Sequence, residues 1–233
     1  MRAPLVLLPG MMCDARLFAP QVSALSDVAE PWVGDIGGAD SIEALAGDIL
    51  ARAPFDRFAL AGLSMGGIVA MAILRAAPER VERLALLDTN HRAETPERRA
   101  LRGPQIERAR AGELRVLLVD EMKPAYLGPA HRADAGLLDL ILAMGLDLGP
   151  AIFERQSVAL RDRPDATEAL RAYGGPSLVL CGRHDALCPP ERHAEIAGLL
   201  GNARLTVIEG AGHLPTLEEP EAVTSALRLW LAR

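Results

Sequence analysis

Three side chains whose types suit nucleophilic catalysis lie far apart in this 233-residue sequence. Ser64 lies in "GLSMGG", between an apolar run and a helix-like stretch, and fits the pattern G-x-S-x-G. A serine hydroxyl needs a neighbouring base, and the base needs a carboxylate to orient it. His213 in "EGAGHLPTLEEP" and Asp185 in "CGRHDALCPPE" are the candidates for these two roles. The residue types therefore predict acyl-transfer chemistry on Ser64.

Each of these assignments has an alternative. Ser64 would be a plain N-capping residue if the glycines only allow a tight turn. Asp88 in "LLDTN" competes with Asp185 as the orienting acid, since it also ends an apolar run, and the order of the residues along the chain favours neither. Among the other histidines, His193 falls within a helix-like stretch, where we expect a solvated position. His213 stands out because its loop follows the last apolar run.

The elements that must position these residues alternate along the chain. Continuous apolar runs, typical of strands covered on both faces, occupy 3–10, 57–62, 81–88, 176–182 and 203–210, with a weaker run at 28–33. Helix-like stretches begin near residues 41, 65, 190 and 220. Such alternation requires crossover connections and predicts an α/β fold, with a mostly parallel sheet flanked by helices. Ser64, Asp185 and His213 would then share the carboxyl edge of that sheet.

One segment interrupts this alternation. Residues 91–173 contain no convincing strand but several helical stretches, at 113–127, 133–146 and 150–164. An ordinary crossover is much shorter, so we expect a helical insertion over one edge of the sheet. The core domain would comprise residues 1–90 and 174–233. The charged stretch 94–113 is interpreted as a solvated helix face.

Composition excludes several classes of function. The net charge of −6 and the pI near 5.4 argue against binding of nucleic acid. No apolar stretch reaches the length of a membrane span, and no signal-peptide pattern is present, so we expect a cytoplasmic protein without a membrane partner. The three cysteines lack metal-ligand spacing, and no metal or organic cofactor is implied. Oligomeric state cannot be predicted from the sequence.

The segments "GLSMGG", "PSLVLCGRHDALCPP" and "IEGAGHLPTLEEPEAV" resemble the nucleophile elbow, acid loop and histidine loop of the α/β-hydrolase superfamily. The resemblance covers both ends of the chain and leaves only the insertion unmatched. In that family the acid usually follows the strand before the last, which implies Asp185, and the base follows the last strand, which implies His213. The insertion at 91–173 would be the family's cap. Without the two leading antiparallel strands common in the family, a sheet of about six strands is expected.

The resemblance also implies an oxyanion hole. The family uses the backbone N–H of the residue after the nucleophile, here Met65, and a second N–H from the loop after an early strand. That loop is "LLPGMMCD" in this sequence, which implies Met11 as the second donor. Pro9 stands where the family often has histidine, which leaves the exact loop geometry open. The alternative is that "PGMM" is simply a turn that ends a strand.

The expected substrate is a small molecule. Met12, Leu187 and Leu214 are predicted substrate-binding residues, with Met122, Met144 and Phe153 as residues of the pocket roof. Adaptable methionines and few aromatic residues indicate a small apolar acyl pocket, although any of these side chains could equally be core. Cys13 and Cys188, expected near the mouth, are interpreted as buried small hydrophobic residues rather than reactive thiols.

The predicted function is that of a carboxylesterase-like serine hydrolase acting on a small ester or lactone. One alternative keeps the triad and changes the bond, since relatives cleave carbon–carbon bonds, eliminate pyruvate or act as cofactor-free haloperoxidases. Acidic substrates of that kind would need a cation in the pocket, for which the sequence offers Arg16, Arg92, Arg155 and Arg183. A second alternative is a non-catalytic ligand receptor or signalling module.

Overall fold

A six-stranded sheet, parallel throughout, forms the centre of the protein. The structure is a computed structural model that describes residues 2–122 and 126–233. The strand order is β2-β1-β3-β4-β5-β6, so the chain starts inside the sheet and builds outward in both directions. The strands are β1 (Ala3–Leu8), β2 (Ala29–Val33), β3 (Phe58–Leu63), β4 (Val81–Leu87), β5 (Ser177–Gly182) and β6 (Ala203–Ile208). The predicted α/β fold with about six strands is confirmed.

Helices cover both faces of this sheet. Those between or after the strands are α1 (Ala19–Ala24), α2 (Ile42–Arg52), α3 (Met65–Ala76), α8 (Pro190–Leu199), α9 (Pro215–Glu218) and α10 (Pro220–Leu231). Short tight turns of helix at Ala15–Phe18 and Pro78–Arg80 precede α1 and β4. The four helices expected from the sequence near residues 41, 65, 190 and 220 are all present.

The central strands are apolar at every position because both of their faces are covered. All six residues of β3 and of β5 are buried, and β4 is buried from Leu84 onward. The side chains of the sheet alternate between two hydrophobic clusters, one on each face, because successive residues of a strand point to opposite sides. The edge strand β6 is more exposed. This burial explains why the strands are recognisable as continuous apolar runs.

Between β4 and β5, the described part of the chain forms helices and loops and contains no strand. The helices are α4 (Pro96–Arg108), the wider helical turn Ala109–Glu113, α5 (Leu114–Val116), a second wider turn Leu117–Met122, α6 (Ala135–Arg161) and α7 (Thr167–Ala172). The helix expected over 113–127 is present as far as residue 122, and its residues 123–125 lie outside the described part.

The longest helix, α6, joins the two helices expected at 133–146 and 150–164. Gly149 inside it has φ 78°, and Pro150 follows without a backbone N–H, so the helix is kinked there. Among the described residues, α6 is the one helix long and apolar enough to cross a membrane by length and composition. The kink divides it into two parts, and its buried face, which includes Met144 and Phe153, packs within the protein.

Candidate active site

Ser64 occupies the sharp turn between β3 and α3. Its backbone has φ 53° and ψ −116°, a conformation that residues with a side chain rarely adopt. Such a residue costs of the order of 1–3 kcal/mol and persists only where the surroundings hold it in place. The turn directs the hydroxyl away from the sheet edge and into a cavity that Ser64 lines.

Glycines make this turn possible because backbone passes close on both sides. A Cβ on Gly62 would collide with the backbone of Gly66, and a Cβ on Gly66 would collide with the carbonyl oxygens of Leu8 and Pro9. The small residues of "GLSMGG" therefore bring the end of β1 against the start of α3.

The three residues selected from the sequence form one hydrogen-bonded chain. His213 Nε2 lies 3.0 Å from Ser64 Oγ, and His213 Nδ1 lies 2.8 Å from Asp185 Oδ2. With Nδ1 protonated toward the carboxylate, Nε2 is left to accept the serine proton. This is the geometry of an activated nucleophile, its base and its orienting acid.

The Asp185 carboxylate is buried, and both of its oxygens are hydrogen-bonded. Its second oxygen, Oδ1, accepts hydrogen bonds from the backbone N–H groups of Leu187 at 2.8 Å and Cys188 at 3.0 Å. Burial alone would raise the pKa of Asp185, but the charge and hydrogen bond of His213 and the two N–H donors outweigh it, so the pKa is lowered. Asp185 is thereby kept ionised beside the imidazole.

Asp88, the competing acid, occupies a different place. It is fully buried at the end of β4 with φ 42°, and its Oδ1 accepts the N–H of Gly182 at 2.8 Å rather than a bond from His213. Burial, and then the charge of Asp185, raise the pKa of Asp88 well above its usual value. The geometry thus joins Asp185, and not Asp88, to the imidazole.

The two expected oxyanion donors, the N–H groups of Met11 and Met65, flank this serine. Met65 begins α3, so its N–H has no partner within the helix. A Cβ placed on Gly10, next to Met11, would lie 3.4 Å from the Ser64 Cβ, so this loop passes close to the serine. In the described part of the chain, neither N–H donates a hydrogen bond to another protein group. Both donors are therefore available to a ligand.

Ser64 and His213 line a cavity of about 290 Å³. Its apolar lining includes several of the side chains expected there: Met11, Met122, Leu187 and Leu214, together with Cys13 and Cys188. Burial raises the pKa of Cys13 to about 12 and also raises that of Cys188, so both remain thiols, as expected for buried small hydrophobic residues.

Comparison with known proteins assigns the family. Residues 5–226 match the description "Alpha/beta hydrolase family". The chain belongs to the alpha/beta hydrolase family. The structure superimposes with a TM-score of 0.91 on a thermophilic esterase from Thermogutta terrifontis, which is 32% identical over 99% of this chain and 89% of that one. The resemblance inferred from three sequence segments is therefore confirmed.

Other relatives of this hydrolase are similar over their whole length. The enol-lactonase from Burkholderia xenovorans LB400 superimposes with a TM-score of 0.90 and is 25% identical, covering 100% of this chain and 92% of that one. The pimeloyl-[acyl-carrier protein] methyl ester esterase of Xanthomonas oryzae pv. oryzae is 29% identical over 98% of this chain and 94% of its own length.

Not every expected pocket residue of the hydrolase lies in the cavity. Met12 has φ 55°, which turns its side chain into the core, and its N–H donates to Gln156 Oε1 at 2.8 Å. Met144 and Phe153 are also buried in the core, within α6. The predictions of these three residues as pocket lining are wrong, because loop conformation and helix rotation decide which side of an element faces the substrate.

The cations proposed from the sequence also lie elsewhere. Arg16 pairs with Asp14 and Asp147, Arg92 with Glu195 and Arg183 with Glu209, whereas Arg155 donates to the carbonyl of Gly37. None of the four lines the cavity, and Arg98, Arg102 and Arg163 line it instead.

The interpretation of 94–113 as a solvated helix face fits most of the stretch, which is exposed, but is wrong for Glu94 and Arg102. The Glu94 side chain is only 1% exposed, and that of Arg102 only 15%. No periodic pattern in the sequence predicts the burial of these two side chains, because burial of a charged side chain depends on a partner from a distant segment.

His213 is held by a carboxylate that the sequence analysis missed. Glu218, buried on α9, accepts hydrogen bonds from the backbone N–H groups of Gly212 at 2.9 Å and Leu214 at 3.0 Å, on either side of His213. It also accepts the N–H of Gly128 at 2.6 Å. The spacing of five residues from His213 is visible in the sequence, but no pattern distinguishes Glu218 from its neighbour Glu219.

A second buried histidine lies behind the turn that carries Ser64. His193 is fully buried on α8, and its Nε2 accepts the N–H of Thr89 at 3.0 Å. Burial is the main cause that lowers the pKa of His193 to about 4, so the ring is neutral near neutral pH. The expected solvated position of His193 is therefore wrong, because the ring turns toward the sheet edge.

Asp185, Cys188 and His213 are the described residues whose ligand atoms would suit a metal ion, since they lie within 4.8 Å of one another. The Asp185 and His213 atoms are already hydrogen-bonded to each other, and Cys188 holds its proton. Zinc binding requires a thiolate and an unprotonated imidazole nitrogen. The donor set is thus arranged for proton transfer rather than for a metal.

Proposed function

We propose that this hydrolase cleaves a small carboxylic ester or lactone with Ser64 as nucleophile, His213 as base and Asp185 as orienting acid. The observation that carries the proposal is the continuous chain of hydrogen bonds, 3.0 Å from serine to imidazole and 2.8 Å from imidazole to carboxylate. A strained turn that presents the hydroxyl to a cavity supports the same role.

In this proposal, Ser64 Oγ attacks the carbonyl carbon while His213 Nε2 takes its proton. The N–H groups of Met11 and Met65 donate to the oxyanion, and Asp185 stabilises the imidazolium. The proton then passes to the leaving alcohol as the carbon–oxygen bond breaks, which leaves an acyl group on Ser64. Water, activated by the same imidazole, attacks this acyl-enzyme and releases the acid.

The relatives support ester bonds as the target. Two of the three proteins described above are esterases by name, and the third is an enol-lactonase. An enol-lactone is an internal ester, so a single mechanism covers both classes. The small cavity of about 290 Å³, with apolar side chains next to Ser64, favours a short acyl or alkyl chain.

We further propose that residues 91–173 form a cap domain over a core of residues 1–90 and 174–233. α4 supplies Arg98, Leu101 and Arg102 to the cavity that holds Ser64. A cap of this kind would exclude bulk water during acylation.

Labelling with a fluorophosphonate probe, followed by mapping of the adduct, tests the nucleophile. We expect modification of Ser64 and loss of turnover by at least about 10³-fold in Ser64→Ala, with an unchanged melting temperature or a slightly raised one. Ser225→Ala, at an exposed position on α10, is the matched control and keeps full activity.

An active and folded Ser64→Ala protein would refute the mechanism, as would an adduct on another residue. Labelling of Ser64 together with turnover of a dienoate and negligible esterase activity would favour the carbon–carbon alternative.

A further inference from the structure

Arg102 of α4, Glu94 just before that helix and Arg163 just after α6 form an unequal cluster of charges. Arg163 binds the Glu94 carboxylate through two parallel hydrogen bonds of 3.1 and 3.0 Å, and Arg102 Nη2 donates to the same carboxylate at 3.0 Å. The side chains of Glu94, Arg163 and Arg102 are 1%, 6% and 15% exposed. Two cations therefore share one buried anion.

The second positive charge has no protein anion to match it. Within the described ranges, Glu94 is the one acid that forms an ion pair with either guanidinium. A buried unpaired charge is strongly unfavourable, and proteins keep one where a ligand neutralises it. Burial, with a further contribution from the charge of Arg102, lowers the pKa of Arg163, as expected for two cations held side by side.

The excess charge faces the substrate cavity. Arg102 and Arg163 line the cavity together with Ser64 and His213, whereas Glu94 does not. The other terminal nitrogen of Arg102, Nη1, donates to the thioether sulfur of Met11 at 3.6 Å. Sulfur is a weak acceptor, so this N–H retains most of its capacity to bind a ligand oxygen.

A further cation lies one helical turn before Arg102. Arg98 lines the same cavity, is exposed, and forms no ion pair with the other described residues. The acid Glu121 also lines the cavity, where it is bound by Gln105 and by Arg108, a cation that it shares with Glu113; the three lining arginines still outnumber it. The cavity mouth on the α4 side is therefore positive.

We infer that the natural substrate carries a carboxylate away from the bond that Ser64 attacks, and that Arg102, assisted by Arg98, binds it. This inference rests on the proposed ester hydrolysis and specifies its substrate class. A guanidinium fork matches the two oxygens of a carboxylate, and binding there would balance the charge of the Glu94 cluster. Met11 joins the two parts of the site, since its side chain contacts Arg102 and its N–H is the proposed oxyanion donor.

Two pairs of esters that differ only in a terminal methyl or carboxylate test the inference. Methyl pentanoate is compared with monomethyl glutarate, which has its charge on the acyl side. Butyl butanoate is compared with the butanoyl ester of γ-hydroxybutyrate, which has its charge on the alcohol side. We expect kcat/KM to be higher for the charged member of at least one pair, by about 10-fold or more at low salt.

Arg102→Gln should lower this preference by about 10- to 100-fold, because a charge-assisted hydrogen bond is lost. The variant keeps the Arg163–Glu94 pair intact and equalises the charges, so it should fold; its melting temperature checks this. Arg99→Gln is the matched control on the same helix: Arg99 pairs with Asp162, does not line the cavity, and should keep the preference. If Arg102→Gln fails to fold, two other measurements take its place. One is the preference of the Arg98→Gln variant, and the other is the decrease in the preference of the unmodified protein as salt is added.

A preference for the neutral member of both pairs would overturn the inference, as would a preference that survives in the Arg98→Gln/Arg102→Gln double variant. Failure of the proposed function would look different, with no ester hydrolysed and no label on Ser64. In that event calorimetric titration with glutarate decides, because binding that Arg102→Gln abolishes supports the carboxylate site without any catalysis. Absence of glutarate binding to the unmodified protein would then refute the inference.

Discussion

The Thr89 hydroxyl donates a hydrogen bond of 2.7 Å to the backbone carbonyl of Ser64, the residue with the strained turn. Gly67 makes room for this contact, since a Cβ there would collide with the Thr89 side chain. Behind it, the Thr89 N–H is held by His193. A chain of contacts from α8 thus supports the turn of Ser64, the proposed nucleophile.

Thr89→Val should impair catalysis through the turn of Ser64 rather than through contact with the substrate. It keeps the shape of the side chain but removes one of the hydrogen bonds that the Ser64 carbonyl accepts, the others coming from the N–H groups of Gly67 and Ile68, so we expect a loss of about 1 kcal/mol in the free energy of unfolding. The turn would relax, and kcat should fall about 10-fold with a smaller change in KM. Steady-state kinetics and urea denaturation measure both effects. Thr206→Val on β6 is the control, and equal losses in the two variants would contradict the supporting role.

Glu218→Gln should displace the histidine loop. The carboxylate accepts N–H groups of Gly128, Gly212 and Leu214 through its two oxygens, and an amide would turn an NH₂ group toward one of these donors. We expect kcat to fall by about 10- to 100-fold while Ser64 still reacts slowly with a fluorophosphonate. Glu221→Gln, exposed on α10, serves as the control. Unchanged kcat in Glu218→Gln would show that the loop is held by other contacts.

His193 should make the protein less stable in mild acid. Its pKa falls from 6.5 to about 4 on folding, so the unfolded chain binds a proton in this range and the native state does not. Its contribution is therefore present above about pH 6.5 and is lost as the pH falls toward 4, by about 3 kcal/mol in all. His193→Gln should remove this part of the slope in urea denaturation across the window. The exposed His184→Gln is the control, and an unchanged slope in His193→Gln would refute the assignment.

Asp88 should make the protein less stable as the pH rises, which is opposite to the effect of His193. Its pKa is raised by burial, so the native state keeps a proton that the unfolded chain releases above about pH 4, and stability falls as the pH rises from there. Asp88→Asn retains an oxygen for the Gly182 N–H but cannot ionise. We expect the variant to gain stability relative to the unmodified protein between pH 4 and 8, as measured by denaturation at several pH values. A constant difference across that range would argue against a buried, protonated Asp88.

Sequence reasoning brought Ser64, Asp185 and His213 together for a local reason. Ser64, Asp185 and His213 each follow a continuous apolar run, and parallel strands bring such positions to one edge of a sheet. The glycines of "GLSMGG" marked the turn because no other residue would fit. The choice between Asp88 and Asp185 was open on spacing alone, since both end a strand, and hydrogen-bond geometry separated them.

Sequence reasoning failed where a side chain depends on a distant partner. Arg102 and Glu94 belong to a stretch that has the composition of a solvated helix, yet Arg163, about seventy residues away, buries them. Met12 was expected in the pocket, but a positive φ turns it into the core. Neither the burial of Arg102 and Glu94 nor the orientation of Met12 is visible as a periodic pattern in the sequence.

The sequence by itself determined the parallel α/β sheet, the family and the candidate nucleophile with its base, because hydrophobic periodicity and glycine spacing are local properties. Only the tertiary structure decided which acid meets His213, which methionine faces the substrate, and which arginines line the cavity. Those outcomes depend on the backbone conformation of single loop residues and on contacts between segments far apart in the chain. The positive wall beside Ser64 arises in this way, from a shared carboxylate that no single segment specifies.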